Sequence, residues 1–300
     1  MRKITAVRCP NNPLVTFKSL NIRSGNINGP SVIRVPSWIR HPLGKYYMYF
    51  ADHRGEVIRL AYADDLGGPW KVFEPGTLRL DQTRAFRGHI ASPDVHVDDV
   101  KKEIRMYFHG GVDSPKKQQA GIAFSKDGLR FDASETMLGS FYFRVFRWGG
   151  FFYAIAKDGN SGWGELLRSP DGLTPFESRG PFIENVRHTA VMLRGNRLIV
   201  FYSRKGDAPE RILVSTVMLV DGWTAWMESE PVEVLRPETG YEGAGYLNRP
   251  SDYGAAVEVR QLRDPFVFEE NGRTFLFYSV AGEMGIAMAE ISIELRKDRG

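Results

Sequence analysis

Five times along the chain an apolar stretch with strand character gives way to a polar turn and then to a second stretch rich in Tyr and Phe. The five are SVIRVPSWIRHPLGKYYMYFADH, DVHVDDVKKEIRMYFHGG, YFRVFRWGGFFYAIAKDG, TAVMLRGNRLIVFYSRKGD and PFVFEENGRTFLFYSVAG. Each predicts a β-hairpin whose second strand ends in small or charged residues. After each of the first four comes a turn built from Asp, Gly or Leu and followed by an aromatic: ADDLGGPW (63–70), SKDGLRF (125–131), SPDGLTPF (169–176) and VDGWTAW (220–226). Asp and Gly supply the positive φ of tight turns, and the aromatic packs the next strand. No stretch sustains helical periodicity, which argues against an α/β fold.

Taking Pro30, Pro93, Phe143, Thr189 and Pro265 as equivalent starts, the spacing is that of a four-stranded propeller blade. The expected fold is therefore all-β, a five-bladed β-propeller forming a single domain over residues 1–300. The fifth unit has no turn motif or outer strand after Leu295, so PLVTF (13–17) is expected to supply that strand and close the ring. A two-sheet β-sandwich is the competing fold.

Composition narrows the picture further. With 25% charged and 42% hydrophobic residues, the chain is globular in character. Its net charge of +4 sets 40 Lys and Arg against 36 Asp and Glu without a strongly basic tract, so solvated charge explains it better than nucleic-acid binding. The lone Cys9 excludes a disulfide framework and a cysteine-rich zinc module. No apolar run approaches the ~18 residues that cross a bilayer, and Arg8, Pro10 and Pro13 interrupt any signal-like stretch. No membrane association and a cytoplasmic location are the expectation.

In a propeller the innermost strand starts, and the second strand ends, at one face beside the central channel. The inner-strand starts carry Asn28, His89, Asp94, Arg144, His188, Arg263 and Asp264; the second-strand ends carry Asp52, His53, His109, Lys157, Asp158, Arg204 and Glu283. Turn residues are polar in any case, so part of this set is expected only to be solvated. Asp64, Asp65, Asp127, Asp171 and Asp221 fall within the turn motif and are expected to cap turn backbone. The segment RPETGYEGAGYLNRPSDYG (236–254) fits no strand and must loop between the fourth and fifth blades, which brings Glu242 into consideration.

With the five hairpins, the segments SPDV (Ser92 to Val95) and LRDPFVF (Leu262 to Phe268) make the chain from Gly29 to Ile293 resemble the five-bladed propeller glycosidases, the group of glycoside hydrolase families 43, 62, 32 and 117. The resemblance implies a general base at the start of blade one, an Asp in blade two that tunes pKa and orients the sugar, and a general-acid Glu in a later blade. Asp94 matches the blade-two Asp. At blade one the family's Asp-Pro is here Gly29-Pro30, preceded by Asn28, and neither side chain accepts a proton; an Asp-Pro pair recurs at Asp264-Pro265.

Glycoside cleavage needs a protonated acid and an ionised base about 5 to 9.5 Å apart, depending on the stereochemical outcome. The carboxylates expected to serve are Glu242 as acid, Asp264 as base and Asp94 as the tuning or hydroxyl-holding group, with His89 and His188 as alternative proton donors. Asn28, Asp52, His53, His89, His109, Arg144, His188 and Arg263 are expected to bind an oligosaccharide, with no cofactor and no metal. Trp38, Trp148, Trp163 and Tyr241 are candidate stacking platforms, whereas Trp70, Trp223 and Trp226 are expected between blades. Two alternatives remain open. One is an inactive carbohydrate-binding propeller, as the Asn28-Gly29 departure allows. The other is a phosphorylase like those of family 130, in which Arg, Lys and His hold phosphate and a single Asp donates the proton. A metal-dependent nuclease or lactonase and a sialidase fit less well, for want of paired ligand spacing and of the sialidase turn spacing.

Overall fold

The computed structural model describes residues 3–113, 117–159, 162–252, 254 and 257–294. Its strands form five antiparallel sheets. Blade one comprises Asn28–Arg34, Tyr46–Ala51, Val57–Ala63 and Lys71–Arg79; blade two, Arg87–Asp98, Glu103–Gly111, Gln118–Ser125 and Asp132–Ala133. Blade three comprises Phe141–Trp148, Phe151–Lys157, Gly164–Ser169 and Glu177–Phe182; blade four, Val186–Arg194, Arg197–Arg204, Ile212–Met218 and Val232–Leu235. Blade five runs outward from Arg263–Glu270 through Arg273–Val280 and Gly285–Glu294 to Lys3–Arg8. The inner strands contact one another in cyclic order, blade five returning to blade one, so the sheets form a closed β-propeller.

The N-terminus closes the ring, but through a different segment from the one expected. Lys3–Arg8 is the outer strand, paired from Lys3↔Glu294 to Arg8↔Ala289, while Val15–Thr16 adds only a two-residue pairing to the start of the same strand. The alternation of exposed and half-buried residues in KITAVR is that of an edge strand with one face on the sheet.

Apolar side chains cluster between each pair of neighbouring blades. Met48 and Phe277 share the cluster between blades one and five, Tyr49 and Met106 that between one and two, Tyr107 and Ala154 that between two and three, Tyr153 and Val200 that between three and four, and Phe201 and Leu276 that between four and five. The turn motifs lock these interfaces. Asp127 Oδ1 accepts the backbone N–H groups of Leu129 and Arg130 at 2.7 and 2.9 Å, and Asp171 Oδ1 those of Leu173 and Thr174 at 2.8 and 2.9 Å. The next glycine then offers its carbonyl to the preceding blade: Tyr49 Oη donates to Gly128 at 2.9 Å, and Tyr107 Oη to Gly172 at 3.1 Å. Both glycines have φ above +70°, and a Cβ there would stand within 3 Å of the Tyr hydroxyl. Trp70, Trp223 and Trp226 are buried between blades as expected. No described helix is long and apolar enough to cross a membrane.

A single guanidinium fills the axis. Arg144, 1% exposed on the inner strand of blade three, donates from Nε to Thr189 O of blade four at 2.9 Å, and from Nη1 to Pro93 O of blade two at 2.9 Å. Its Nη2 reaches Pro30 O of blade one at 3.4 Å, and it lies over the ring of Phe266 in blade five at 5.6 Å. All five blades therefore meet one side chain. Arg144→Met would strand three buried carbonyls and leave Asp94 without its cation. Chemical denaturation is expected to read a loss of about 3–5 kcal/mol; a change below about 1 kcal/mol would show the axis to be held some other way.

Candidate functional site

Each inner strand carries a β-bulge just after its start, where its pairing with the second strand slips. The residues at the slip are Gly29, Ser92, Tyr142, Arg187 and Asp264 in blades one to five. Four of them adopt left-handed φ: +60° at Gly29, +51° at Ser92, +61° at Tyr142 and +48° at Asp264. Bulges re-aim side chains, and these turn Ser92, Tyr142, Arg187 and Asp264 onto the wall of one cavity of about 600 Å³. Gly29 contributes nothing there, because a Cβ would lie 3.3 Å from Ser92 Cα. Two residues further along each inner strand, Ser31, Asp94, Arg144, Thr189 and Phe266 form the separate layer around the axial guanidinium.

Of Asp94, Glu242 and Asp264, the three carboxylates expected to serve in catalysis, the structure places only Asp264 on the cavity. Asp94 belongs to the axial layer. Its Oδ2 accepts from His96 Nε2 at 2.9 Å and from the Val145 N–H at 2.8 Å, and Oδ1 lies 3.7 Å from Arg144. Burial pushes its pKa up, but His96, Arg144 and the Val145 N–H outweigh that and hold it below the usual carboxylate range. Glu242 is fully buried away from the cavity, with both oxygens occupied. Arg8 binds it bidentately at 2.8 and 3.0 Å, Tyr278 Oη donates at 2.9 Å, and the Glu238 and Thr239 N–H groups donate at 2.9 and 3.2 Å. Its place is the seam where the N-terminal strand meets blade five, so the acid role expected for it is corrected to that of a structural clasp.

Among the expected binding residues, Asn28, His53, His89 and His109 line the cavity. Asp52 instead pairs with Arg59 at 3.2 Å. Arg144 is the axial pin. His188, 2% exposed, packs its ring against Tyr142 with centroids 4.9 Å apart, and Arg263, 1% exposed, is an ion-pair hub behind the wall. None of these four lines the cavity. The tryptophans expected as platforms do not line it either: Trp148 stacks edge-on to Trp226, and Trp38 donates to Asp99. Phe141 and Tyr142 are its aromatics. Tyr142 and Arg187 escaped sequence reasoning because each sits inside an ordinary strand pattern; the signal lay in their alignment with Ser92 and Asp264 at the bulge.

Electrostatically the floor is a coupled pair. Glu283 accepts from Arg263 Nη1 at 2.9 Å and from Asn28 Nδ2 at 2.8 Å. Asp264 receives only the Ser279 hydroxyl at 3.2 Å among its described bonds. Burial first, and the Glu283 charge second, push the Asp264 carboxyl up to about 6. Burial raises Glu283 as well, against the pull of its donors Arg263 and Asn28, so the two carboxyls share the burden of one charge and titrate as a pair. Burial lowers the histidines: His53 and His89 fall below the usual imidazole value, and His109 and His188 fall well below it. The expected alternative donors His89 and His188 are therefore neutral at pH 7. Burial, with Arg187 and Lys205 nearby, lowers Lys157 to about 8. Among the described residues no group of three His, Cys, Asp or Glu is arranged to hold a metal.

Two substitutions should move stability in opposite directions. In the unfolded chain Asp264 ionises near pH 4, but the fold holds its proton to about pH 6, so folding loses stability as pH rises through that window. Asp264→Asn is expected to stabilise by about 2–3 kcal/mol above pH 6 and by little below pH 4. Glu242→Gln, which breaks a satisfied buried ion pair, should cost about 3–5 kcal/mol at neutral pH. Equal pH-dependent denaturation curves for wild type and Asp264→Asn would contradict the raised carboxyl.

Comparison with known proteins agrees with this architecture. No family model matches the chain. An α-L-arabinofuranosidase from Lactobacillus brevis superposes with a TM-score of 0.64 at 14% identity, over 96% of this chain and 95% of its own. A GH43_1 enzyme from Xanthomonas citri complexed with xylose gives 0.63 at 14%, over 95% and 90%. An N-acetylgalactosamine deacetylase from F. plautii, in complex with blood group B trisaccharide, gives 0.59 at 12%, over 88% and 89%. The chain thus has the fold of the family 43 propellers, a fold that also serves other chemistry. In sequence it is 38% identical to the uncharacterized protein R118 of Acanthamoeba polyphaga mimivirus, over 96% of this chain and 91% of that protein. This five-bladed propeller belongs to the same family as protein R118.

Proposed function

We propose that the protein cleaves glycosidic bonds of an oligosaccharide held in the central cavity, with Asp264 as the proton donor. The observation that carries this is the Asp264–Glu283 pair on the cavity wall, one carboxyl pushed up to about 6 with the Ser279 hydroxyl as its one described bond, the other held by Arg263 and Asn28, donors that favour its charged form. Such a division of one pair into acid and anion is what glycoside cleavage requires. Asp264 protonates the leaving oxygen as the glycosidic bond breaks, the Glu283 carboxylate stabilises the positive charge that develops at the sugar, and a water then attacks the anomeric carbon and gives its proton to the Asp264 carboxylate. His53 and His89, which also line the cavity, offer hydrogen bonds to hydroxyls, and Tyr142 presents a ring and a phenol. The base role read for Asp264 from the sequence becomes an acid role, because a carboxyl that retains its proton near neutrality donates better than it accepts.

The test is a screen of aryl glycosides with and without phosphate, followed by Asp264→Asn. The variant should lower kcat by about 10²–10⁴-fold while sugar binding survives. Wild-type activity should fall as pH rises through about 6, where Asp264 loses its proton. Turnover only with phosphate would replace hydrolysis by phosphorolysis and leave Asp264 in place. Sugar binding without turnover of any glycoside would identify a binding module and refute catalysis.

A further inference from the structure

The loop between blades four and five is tied down residue by residue. Glu242 at its bend is gripped by Arg8 at 2.8 and 3.0 Å and by Tyr278 Oη at 2.9 Å. Asn12 Nδ2 donates to the Tyr241 hydroxyl at 3.1 Å and to Met288 O at 2.8 Å, and Asn12 Oδ1 accepts the Met288 N–H at 2.9 Å, which ties the tyrosine to blade five. Gly243 turns back with φ +81°, and a Cβ there would stand 2.9 Å from the Tyr246 ring, so bare backbone lets that ring close over the bend. The result is two aromatic side chains, Tyr241 and Tyr246, set with Phe17 around a cleft of about 150 Å³. The proposed chemistry of the Asp264–Glu283 pair uses none of them.

We propose that this cleft is a second sugar subsite, which stacks an outer ring of the same oligosaccharide that the central cavity holds. This rests on the carbohydrate reading of the cavity and specifies its ligand as a neutral chain of several sugars. Size is the first argument. An independent ligand pocket runs to about 300–1,000 Å³, so a cleft this small takes one ring of a longer molecule. Continuity is the second, because one turn separates the two hollows: Ala281 and Met284 border the cleft, and Glu283 between them lines the cavity. Chemistry is the third. The described lining of the cleft holds no carboxylate, and Lys18 is its one charged residue. Aromatic rings stack on the apolar face of a sugar, while the Lys18 ammonium and the Tyr246 hydroxyl bond to its hydroxyls. Tyr246 is 41% exposed and offers its ring to a ligand; Tyr241, already fixed by Asn12, has little freedom left to lose on binding.

The experiment is isothermal titration of xylose, arabinose, glucose and galactose, and of their oligomers up to six residues, into Asp264→Asn, which leaves the chains uncut. In the series that binds, the hexamer should bind at least about tenfold more tightly than the monosaccharide, the gain expected of two stacked rings. Tyr246→Ala in that background should shrink the ratio to within about threefold, and so should Tyr246→Leu, which keeps bulk without a flat ring. Tyr246→Phe should retain it. Equal affinity of monosaccharide and hexamer overturns the subsite and leaves the carbohydrate reading of the cavity in place. A ratio that Tyr246→Ala and Tyr246→Leu both leave intact does the same. A dimer seen by sedimentation and abolished by Tyr246→Ala overturns the subsite too, by assigning the cleft to a second copy of the chain. Should no series bind, the carbohydrate reading falls and the subsite with it. Wild-type turnover is measured apart from these affinities, so a length gain without turnover counts against catalysis and supports the subsite.

Discussion

A closed propeller must fill the axis where five inner strands converge, and here one arginine does so. The guanidinium of Arg144 satisfies carbonyls from three other blades and lies on an aromatic ring of the fourth, with Asp94 as its counter-charge. A planar group with five donors suits this task, because backbone carbonyls around an axis arrive from several directions in nearly one plane. The contact fixes the blades relative to one another. It also separates the axial layer from the cavity lined by the bulge residues, and so decides which polar residues can meet a ligand.

The cavity follows from those bulges. One slipped residue per inner strand turns a side chain to the wall, and the identity of that residue sets the chemistry: none at Gly29, a hydroxyl at Ser92, a phenol at Tyr142, a guanidinium at Arg187 and a carboxyl at Asp264. Asp264, the proton donor we propose, thus stands in blade five, at the position equivalent to the blade-one residue that the family 43 resemblance would make the base. Glu283 arrives from the turn that follows the second strand of the same blade, where Arg263 and Asn28 favour its charged form against the cost of burial. Holding this charge in a buried place costs folding stability, as sites poised for proton transfer commonly do.

Much of the fold was legible in the sequence. The recurrence of hairpin and turn gave the blade number and the inner-strand starts, because each blade solves the same packing problem with the same residue types. The closing strand was placed ten residues too late, at 13–17 instead of Lys3–Arg8, because KITAVR is a half-exposed edge whose alternation is weaker than that of a core strand. The site was legible in outline. Asn28, His53, His89, His109 and Asp264, which topology gathers at one face, line one cavity together with Lys157 and Glu283 from second-strand ends. Topology could not tell a residue at the bulge from one two positions further on, so Asp94 and Arg144 were grouped with Asp264 although they point to the axis. Glu242 stood out because it lies in a long loop, yet Arg8, more than two hundred residues away, claims its carboxylate.

Local periodicity and turn chemistry are written in neighbouring residues, so the sequence by itself determined the five-fold repeat, the strand order within each blade and the face to which polar residues would gather. Which of those residues faces open space, which is consumed by a partner and which keeps a proton near neutrality depends on groups brought together from distant parts of the chain. Charge interactions and burial act through space and not along the backbone, and for that reason only the tertiary structure separated Asp264 from Asp94 and Glu242.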